Sequence, residues 1–154
     1  MRRKPARPRW DDGPDPRVRV LLECEPADSP SIIASIIERH GFSVQTCGGP
    51  REHRCSLLDD GVCELVDGAD VVVNLLRSPP TGANVLQAVA HLRRAPAIVA
   101  QRPLSARLAD ARGTDDEAMT SLTPPLTSRN LIEGIHESLD RRDTPSAWWG
   151  DGFC

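Results

Sequence analysis

The sequence lacks the long apolar run that a membrane-spanning helix needs. No segment reaches about 18 to 20 consecutive apolar residues. The first nine residues carry five basic side chains and two prolines without the apolar stretch of a secretory signal. Residues 1–16 are therefore expected to form a disordered basic arm. The sequence predicts a cytoplasmic protein without a membrane partner.

Strong charge of one sign and the common catalytic motifs are also missing. The net charge is −3, and the basic arm is not followed by a recognisable DNA-binding motif, so we do not expect nucleic acid to be a partner. The sequence contains no P-loop, no GxGxxG after a strand, no GxSxG and no HExxH. These absences favour a non-enzymatic module over an enzyme of a common class.

Cysteines form the main chemical feature that is present. Four of the five fall within forty residues, at Cys24, Cys47, Cys55 and Cys63, although none forms the CxxC pair that makes a zinc or cluster assignment strong. In a reducing compartment a disulfide framework is not expected. The group, with His53 as a substitute ligand, predicts a zinc or iron-sulfur site, a redox-active thiol pair or buried structural cysteines.

Apolar segments with the two-residue period of a strand alternate with segments of helical period. This alternation predicts an α/β fold with a doubly wound, mainly parallel five-stranded sheet over residues 17–140. The long segment between strands two and three, which carries three of the cysteines, is expected to be an insertion. Strands are predicted over 17–23, 42–47, 71–76, 97–100 and 117–122, and helices over 30–40, 84–92, 105–111 and 128–139.

Two helices have particular predictions. The first is expected to place Ile32, Ile33, Ile36 and Ile37 on its inward face and to end at Gly41. A regular helix over 55–66 would hold two of the cysteines about 12 Å apart, too far for one ion. The sequence Asp-Asp-Gly at 59–61 is expected to interrupt that helix and to leave the second cysteine free to join the others.

Three segments carry a resemblance to a known family. They are VRVLLECEP at 18–26, GADVVVNLLRSPPTG at 68–82 and GTDDEAMTSLTPPLTSRNLIEGI at 113–135. From about Arg17 to Leu139 the chain resembles the response-regulator receiver domain. The resemblance implies a flavodoxin-like fold and a role in signalling.

The resemblance also assigns positions to the chemical residues of that family. Glu23 and Glu25 stand where the acidic pocket that holds magnesium is expected, with Cys24 between them in place of a second carboxylate. The phosphoacceptor aspartate falls on Leu75 without gaps or on Asn74 with one gap. Neither side chain has a nucleophilic carboxylate.

Two further family positions also differ. Gln101 stands near the position of a threonine or serine, and Pro124 takes the place of a lysine that would offset phosphate charge. The chain therefore resembles a pseudo-receiver that is not phosphorylated on aspartate. Asn74, in a buried strand, is expected either to hydrogen-bond a ligand or to tie a loop.

The carboxyl-terminal segment, 141–154, holds three of the five aromatic residues of the chain, at Trp148, Trp149 and Phe153. Large rings outside a core act as anchors, either on their own domain or on a partner. We expect a protein partner or a homodimer, bound through this aromatic tail or through the edge of the sheet.

These observations favour a regulatory module of pseudo-receiver type that senses redox state or metal through its cysteines. A thiol-dependent redox enzyme or a cluster-carrying redox protein is the first alternative, and it would require an accessible thiol of low pKa, for which Cys47 is the best candidate. A protein-protein scaffold with structural cysteines is the second alternative.

Overall fold

The computed structural model describes residues 10, 13, 15–50, 54–76, 79–92, 95–101 and 119–143. These residues form five strands and five α-helices, with a 3₁₀ turn at Pro26–Asp28. In chain order they are β1 (Arg19–Glu23), α1 (Pro30–Arg39), β2 (Ser43–Cys47), α2 (Ser56–Asp60), α3 (Glu64–Asp67), β3 (Val71–Asn74), α4 (Pro79–Ala90), β4 (Ala97–Gln101), β5 (Met119–Leu122) and α5 (Ser128–Asp143).

The five strands form one parallel sheet in the order β2-β1-β3-β4-β5. The three valines of β3 are fully buried, as expected for a central strand that is covered on both faces. The predicted five-stranded, doubly wound α/β fold is confirmed. Strand β5 lies at one edge of the sheet, because it pairs only with β4 among the described strands.

Side chains of successive strand residues point to opposite faces of the sheet, and each face has its own core. We call the face that carries Val20 and Leu22 of β1 the first face, and the face that carries Leu21 the second face. The first face packs against α1 and α5 through Ile37, Leu131, Ile132 and Ile135. The second face packs against α2, α3 and α4 through Leu57, Leu65, Val66, Leu86 and Val89.

Helix α1 differs from its prediction at one position. Ile37 is fully buried, whereas Ile32 is 61% exposed. Residues five positions apart lie about 140° apart around a helix, so the two isoleucines do not share a face. The predicted end of the helix is confirmed, because Gly41 has a φ of 90° and the Nδ1 atom of His40 lies 2.8 Å from the carbonyl oxygen of Ile36.

The connection between β2 and β3 is interrupted, as predicted. Helix α2 ends at Gly61, whose φ of 77° favours glycine, and α3 starts three residues later. Helix α4 begins five residues before its predicted start, and α5 continues to Asp143, four residues beyond its predicted end at residue 139. The helix predicted over 105–111 lies outside the described residues. None of the described helices has the length and apolar character needed to cross a bilayer.

Trp10 lies within the predicted arm, yet it packs on the domain. Its indole N–H donates a hydrogen bond of 2.8 Å to the carbonyl oxygen of Leu65, and its ring lies against the second core. The guanidinium of Arg19 lies 5.6 Å from the ring centroid, in range of a cation–π interaction. A Cβ atom on Gly68 would collide with the indole. Trp10 is therefore part of the folded domain.

Replacement of Trp10 by alanine is expected to lower the free energy of unfolding by about 1 to 3 kcal/mol, because a half-buried ring and a hydrogen bond are lost. Trp10→Phe keeps most of the apolar surface and is expected to cost only about 1 kcal/mol. Urea unfolding followed by circular dichroism measures both. Equal urea midpoints for wild type and Trp10→Ala would show that this contact does not stabilise the domain.

Candidate functional site

Polar side chains meet at the carboxyl end of the central strands. Glu23 is the last residue of β1, and in the sheet register it lies opposite Cys47 of β2 and Asn74 of β3. Strand residues two positions apart point to the same face of the sheet. Glu23 therefore shares the second face with Leu21, and Asn74 shares it with Val72. Cys47 also packs on this face. Neighbouring strands are about 4.8 Å apart, so the three side chains are close neighbours.

Glu23 is a buried carboxyl group. Only 3% of the residue is exposed, and its Oε1 atom has no hydrogen-bond partner among the described residues. Burial disfavours the charged form and raises the pKa of Glu23 to about 8. At neutral pH this carboxyl group is therefore mostly protonated and uncharged.

Asn74 is fully buried and ties a loop. Its Oδ1 atom accepts a hydrogen bond of 3.1 Å from the backbone N–H of Leu76, which is the loop-tying role that the sequence allowed. Leu75, the other candidate for the acceptor position, packs in the first core. Of the two candidate acceptor positions, Asn74 is therefore the one that shares a face of the sheet with Glu23.

The structure separates Cys24 from the other described cysteines. Cys24 belongs to the core of the first face and is 1% exposed, and its thiol lies 3.6 Å from the carbonyl oxygen of Glu25. Cys47, Cys55 and Cys63 pack against the core of the second face. The predicted four-cysteine group is thus divided by the sheet. His53 lies outside the described residues.

Three thiols pack on the second face, and a backbone N–H group donates to one of them. The Sγ atom of Cys47 accepts a hydrogen bond of 3.5 Å from Gly49, at the turn that follows β2. Cys55 immediately precedes α2. Cys63 immediately precedes α3 in the same way. We refer to Cys47, Cys55 and Cys63 as the thiol cluster.

Two thiols of the cluster, those of Cys47 and Cys55, have a raised pKa and favour the protonated form. Burial raises the pKa of Cys47 to about 11, although the N–H of Gly49 opposes this shift. When Glu23, Cys63 and Cys55 are ionised, their negative charges raise the pKa of Cys47 further. Burial also raises the pKa of Cys55, against the effect of its helix N–H groups. The prediction that Cys47 is the best candidate for a thiol of low pKa is therefore wrong, because this thiol is buried among acidic groups.

The described residues contain no group of three or more His, Cys, Asp or Glu side chains that is already arranged to hold a metal ion. No disulfide joins the cysteines at positions 24, 47, 55 and 63. The thiol cluster is therefore a set of neighbouring side chains that do not touch as ligands in this conformation.

Three further predicted site residues lie at or beyond the carboxyl ends of the strands. Glu25 is half-buried just after β1, and Gln101 is half-buried at the end of β4. Pro124 is exposed after β5, and the peptide bond between it and Pro125 is cis. The tail residues Trp148, Trp149 and Phe153 lie outside the described residues.

Solved structures of receiver domains have the same architecture. A CheY-like response regulator receiver domain from Methanospirillum hungatei aligns with 82% of this chain and 97% of its own length, with a TM-score of 0.59 and 16% identity. A receiver protein from Sinorhizobium medicae aligns with 83% and 98%, with a TM-score of 0.58 and 23% identity. The chain has the receiver fold.

A sensor protein from Polaromonas is similar as well, with a TM-score of 0.59, 19% identity, and coverage of 81% of this chain and 98% of that chain. At these identities the likeness concerns the receiver fold alone. No protein-family model and no curated protein matches the sequence. The expected resemblance over residues 17–139 is therefore confirmed at the level of the receiver fold.

Proposed function

We propose that this chain is a signalling module with a receiver fold that works without phosphorylation on aspartate. The observation that carries the proposal is the residue at the end of β3. Asn74 pairs with Glu23 in the sheet and lies on the same face. Its Oδ1 atom accepts a hydrogen bond from the backbone N–H of Leu76. An amide has no nucleophilic carboxylate, so it cannot form the acyl phosphate of an aspartate.

The magnesium site that the receiver resemblance implies does not fit the residues at this edge. Magnesium prefers ionised oxygen ligands in octahedral geometry. Glu23 is uncharged at neutral pH, and Cys24, which stands between the two glutamates, lies on the other face of the sheet. The proposed function therefore includes no step that requires magnesium.

Incubation with acetyl phosphate and Mg²⁺ is expected to leave the intact mass of the protein unchanged, because no described carboxylate stands at the acceptor position. A receiver domain that does accept phosphate, treated in the same tube and measured by the same intact-mass method, is the control for an active donor. An acid-labile phosphoryl adduct on this chain would contradict the proposal.

The proposal extends to what the module senses, which is redox state or metal at its cysteines. The thiol cluster supports this part, because three thiols and a buried carboxyl group share the second face. Ligation of a metal contributes folding free energy and would order the interrupted connection between β2 and β3. Oxidation of the thiols in the thiol cluster would change the conformation of the connection between β2 and β3.

The structural observations support the two alternative functions, a thiol-dependent enzyme and a scaffold, to different degrees. A thiol-dependent enzyme receives none from Cys47, because the pKa of this thiol is raised to about 11. A scaffold with structural cysteines is the second candidate, and it is favoured by the packing of all four described cysteines against the two cores. Metal content and thiol reactivity would distinguish this scaffold from a sensor.

The proposed partner is a protein, either a second copy of the chain or another component of a signalling pathway. Strand β2 lies at one edge of the sheet, and all five of its residues are half-buried. An edge strand offers unpaired backbone groups to a partner. The aromatic tail is the second proposed surface, and a reducing cytoplasmic setting is part of the proposal.

A further inference from the structure

We propose that strand β2 pairs with strand β2 of a second copy of this chain. The two strands run antiparallel about a two-fold axis, so that two five-stranded sheets join into one continuous sheet. The surface consists of the backbone and side chains of Ser43–Cys47. This inference deepens the partner part of the proposed function and rests on it, because it commits to one partner and one surface.

Strand β2 is the more accessible edge of the sheet. Among the described strands it pairs with β1 alone. All five of its residues are half-buried, whereas three of the four residues of β5, the strand at the other edge, are buried. An edge strand presents backbone groups that have no partner in the ladder. A further strand can therefore be added beside β2.

The hydrogen bonds to β1 show which backbone groups of β2 point inward. The N–H of Ser43 donates a bond of 2.9 Å to the carbonyl oxygen of Val18. The carbonyl oxygen of Cys47 accepts a bond of 3.0 Å from the N–H of Cys24. In a parallel pair, alternate residues direct their N–H and C=O groups to the same neighbour. The backbone groups of Gln45 are therefore also directed to β1.

The backbone groups that point outward are self-complementary. They belong to Val44 and Thr46, which alternate with the inward-directed residues. In an antiparallel pair centred on Gln45, Val44 of one copy lies opposite Thr46 of the other. Both such pairs exchange N–H···O bonds, and the Gln45 pair between them is the non-hydrogen-bonded pair that an antiparallel ladder requires. Two identical strands thus satisfy the outer edge of each other.

The side chains also suit a symmetric pair. Val44 packs with the core of the first face, and Thr46 is two positions further along the same face. Pairing therefore brings β-branched side chains of the two copies together, which stabilises a sheet. Gln45 pairs with Leu21 in register and shares the second face with it. Its amide group both donates and accepts, so two glutamines can hydrogen-bond across the axis.

The absence of charge in β2 favours a second copy as the partner. The sequence SVQTC at 43–47 contains no charged residue and no proline. Edge strands that resist pairing commonly carry lysine, other charges or proline. Identical charges would repel one another across a two-fold axis, and β2 has none. A charged partner strand would find no opposite charge here, whereas a second uncharged β2 matches this edge.

The first test measures association of the reduced full chain by sedimentation equilibrium. A short strand pair makes a small interface, so we expect a weak dimer whose population rises with concentration between about 10 μM and 1 mM. Gln45→Lys and Gln45→Glu each place two like charges opposite one another and are expected to weaken association about fivefold. A mixture of these two variants is expected to associate more strongly than either alone, because opposite charges then meet.

Thr123→Lys is the matched control, because it adds the same charge at an exposed position just after β5. It is expected to associate like wild type. Circular dichroism shows whether each variant is folded. Folded wild-type protein that stays monomeric up to about 1 mM overturns the inference. Association of the Gln45 variants that equals that of wild type also overturns it, because the dimer would then use another surface.

The second test locates the axis with Gln45→Cys. The Cα atoms of a non-hydrogen-bonded antiparallel pair lie about 4.5 Å apart, within the range that a disulfide spans. Oxidised glutathione is expected to convert this variant to a disulfide-linked dimer on a non-reducing gel. Wild type and Arg129→Cys, which places a thiol at an exposed position of α5, are expected to stay uncrosslinked. Equal crosslinking of both cysteine variants would contradict the proposed axis.

The phosphoryl-transfer experiment does not depend on association of the chain. A monomeric protein would therefore overturn the β2 pairing and leave the phosphorylation-independent role standing. A phosphoryl adduct on a dimeric protein would have the opposite meaning.

Discussion

Wild-type protein is expected to lose stability between about pH 5 and about pH 8, and Glu23→Gln is expected to remove most of this loss. The pKa of Glu23 is raised from 4.5 to about 8 in the folded protein because burial disfavours the carboxylate. In this pH range the folded state keeps a proton that the unfolded state has released. Stability is therefore greatest below pH 4.5 for this group and falls as the pH rises towards 8.

Within that window the free energy of unfolding is expected to fall by at most about 1.4 kcal/mol for each pH unit. Urea unfolding of the metal-free protein at several pH values between about 5 and 9 measures it. Glutamine is uncharged at every pH, so above pH 8 the variant should be more stable than wild type. Glu38→Gln removes an exposed glutamate and is the control, which should keep the wild-type slope. A wild-type stability that rises over this range would refute the buried neutral carboxyl group.

Ile37→Ala is expected to lower the free energy of unfolding by about 2 to 5 kcal/mol. Ile37 is fully buried in the core of the first face, between α1 and the sheet, so its truncation leaves a cavity. For a domain of this size, a loss of this order is a large part of the total stability. Part of the variant is expected to be unfolded at 37 °C.

Ile32→Ala changes the same residue type in the same helix, and it is the matched control. Ile32 is 61% exposed, and alanine has the higher helix propensity, so this change is expected to stay within about 0.5 kcal/mol of wild type. Urea unfolding followed by circular dichroism compares the two variants. Equal midpoints for both would show that the orientation of α1 differs from the one described.

The architecture could be predicted because local patterns agree with it. The apolar run of β3 indicates a strand covered on both faces, and Gly41 and Gly61 mark the ends of α1 and α2. These signals depend on neighbouring residues alone. The resemblance to receiver domains rests on the same local segments, and the structural comparison confirms it for the fold.

The grouping of the candidate site could not be predicted in the same way. Whether Cys24 joins the other cysteines depends on the face of the sheet that it occupies. Cys24 directly follows Glu23, and neighbouring residues point to opposite faces, so Cys24 lies on the first face. The raised pKa of Glu23 depends on its burial in the folded protein, which the sequence does not reveal. The contact of Trp10 with Leu65 joins residues 55 positions apart.

The packing of Trp10 also determines how a mechanical load would enter the domain. A pull on the chain ahead of this residue would reach α3 through the hydrogen bond from the indole to Leu65, and β1 through the contact of Arg19 with the ring. Helix α3 begins directly after Cys63, a member of the thiol cluster. Tension at this end of the chain would therefore act both on the connection between β2 and β3 and on the first strand of the sheet.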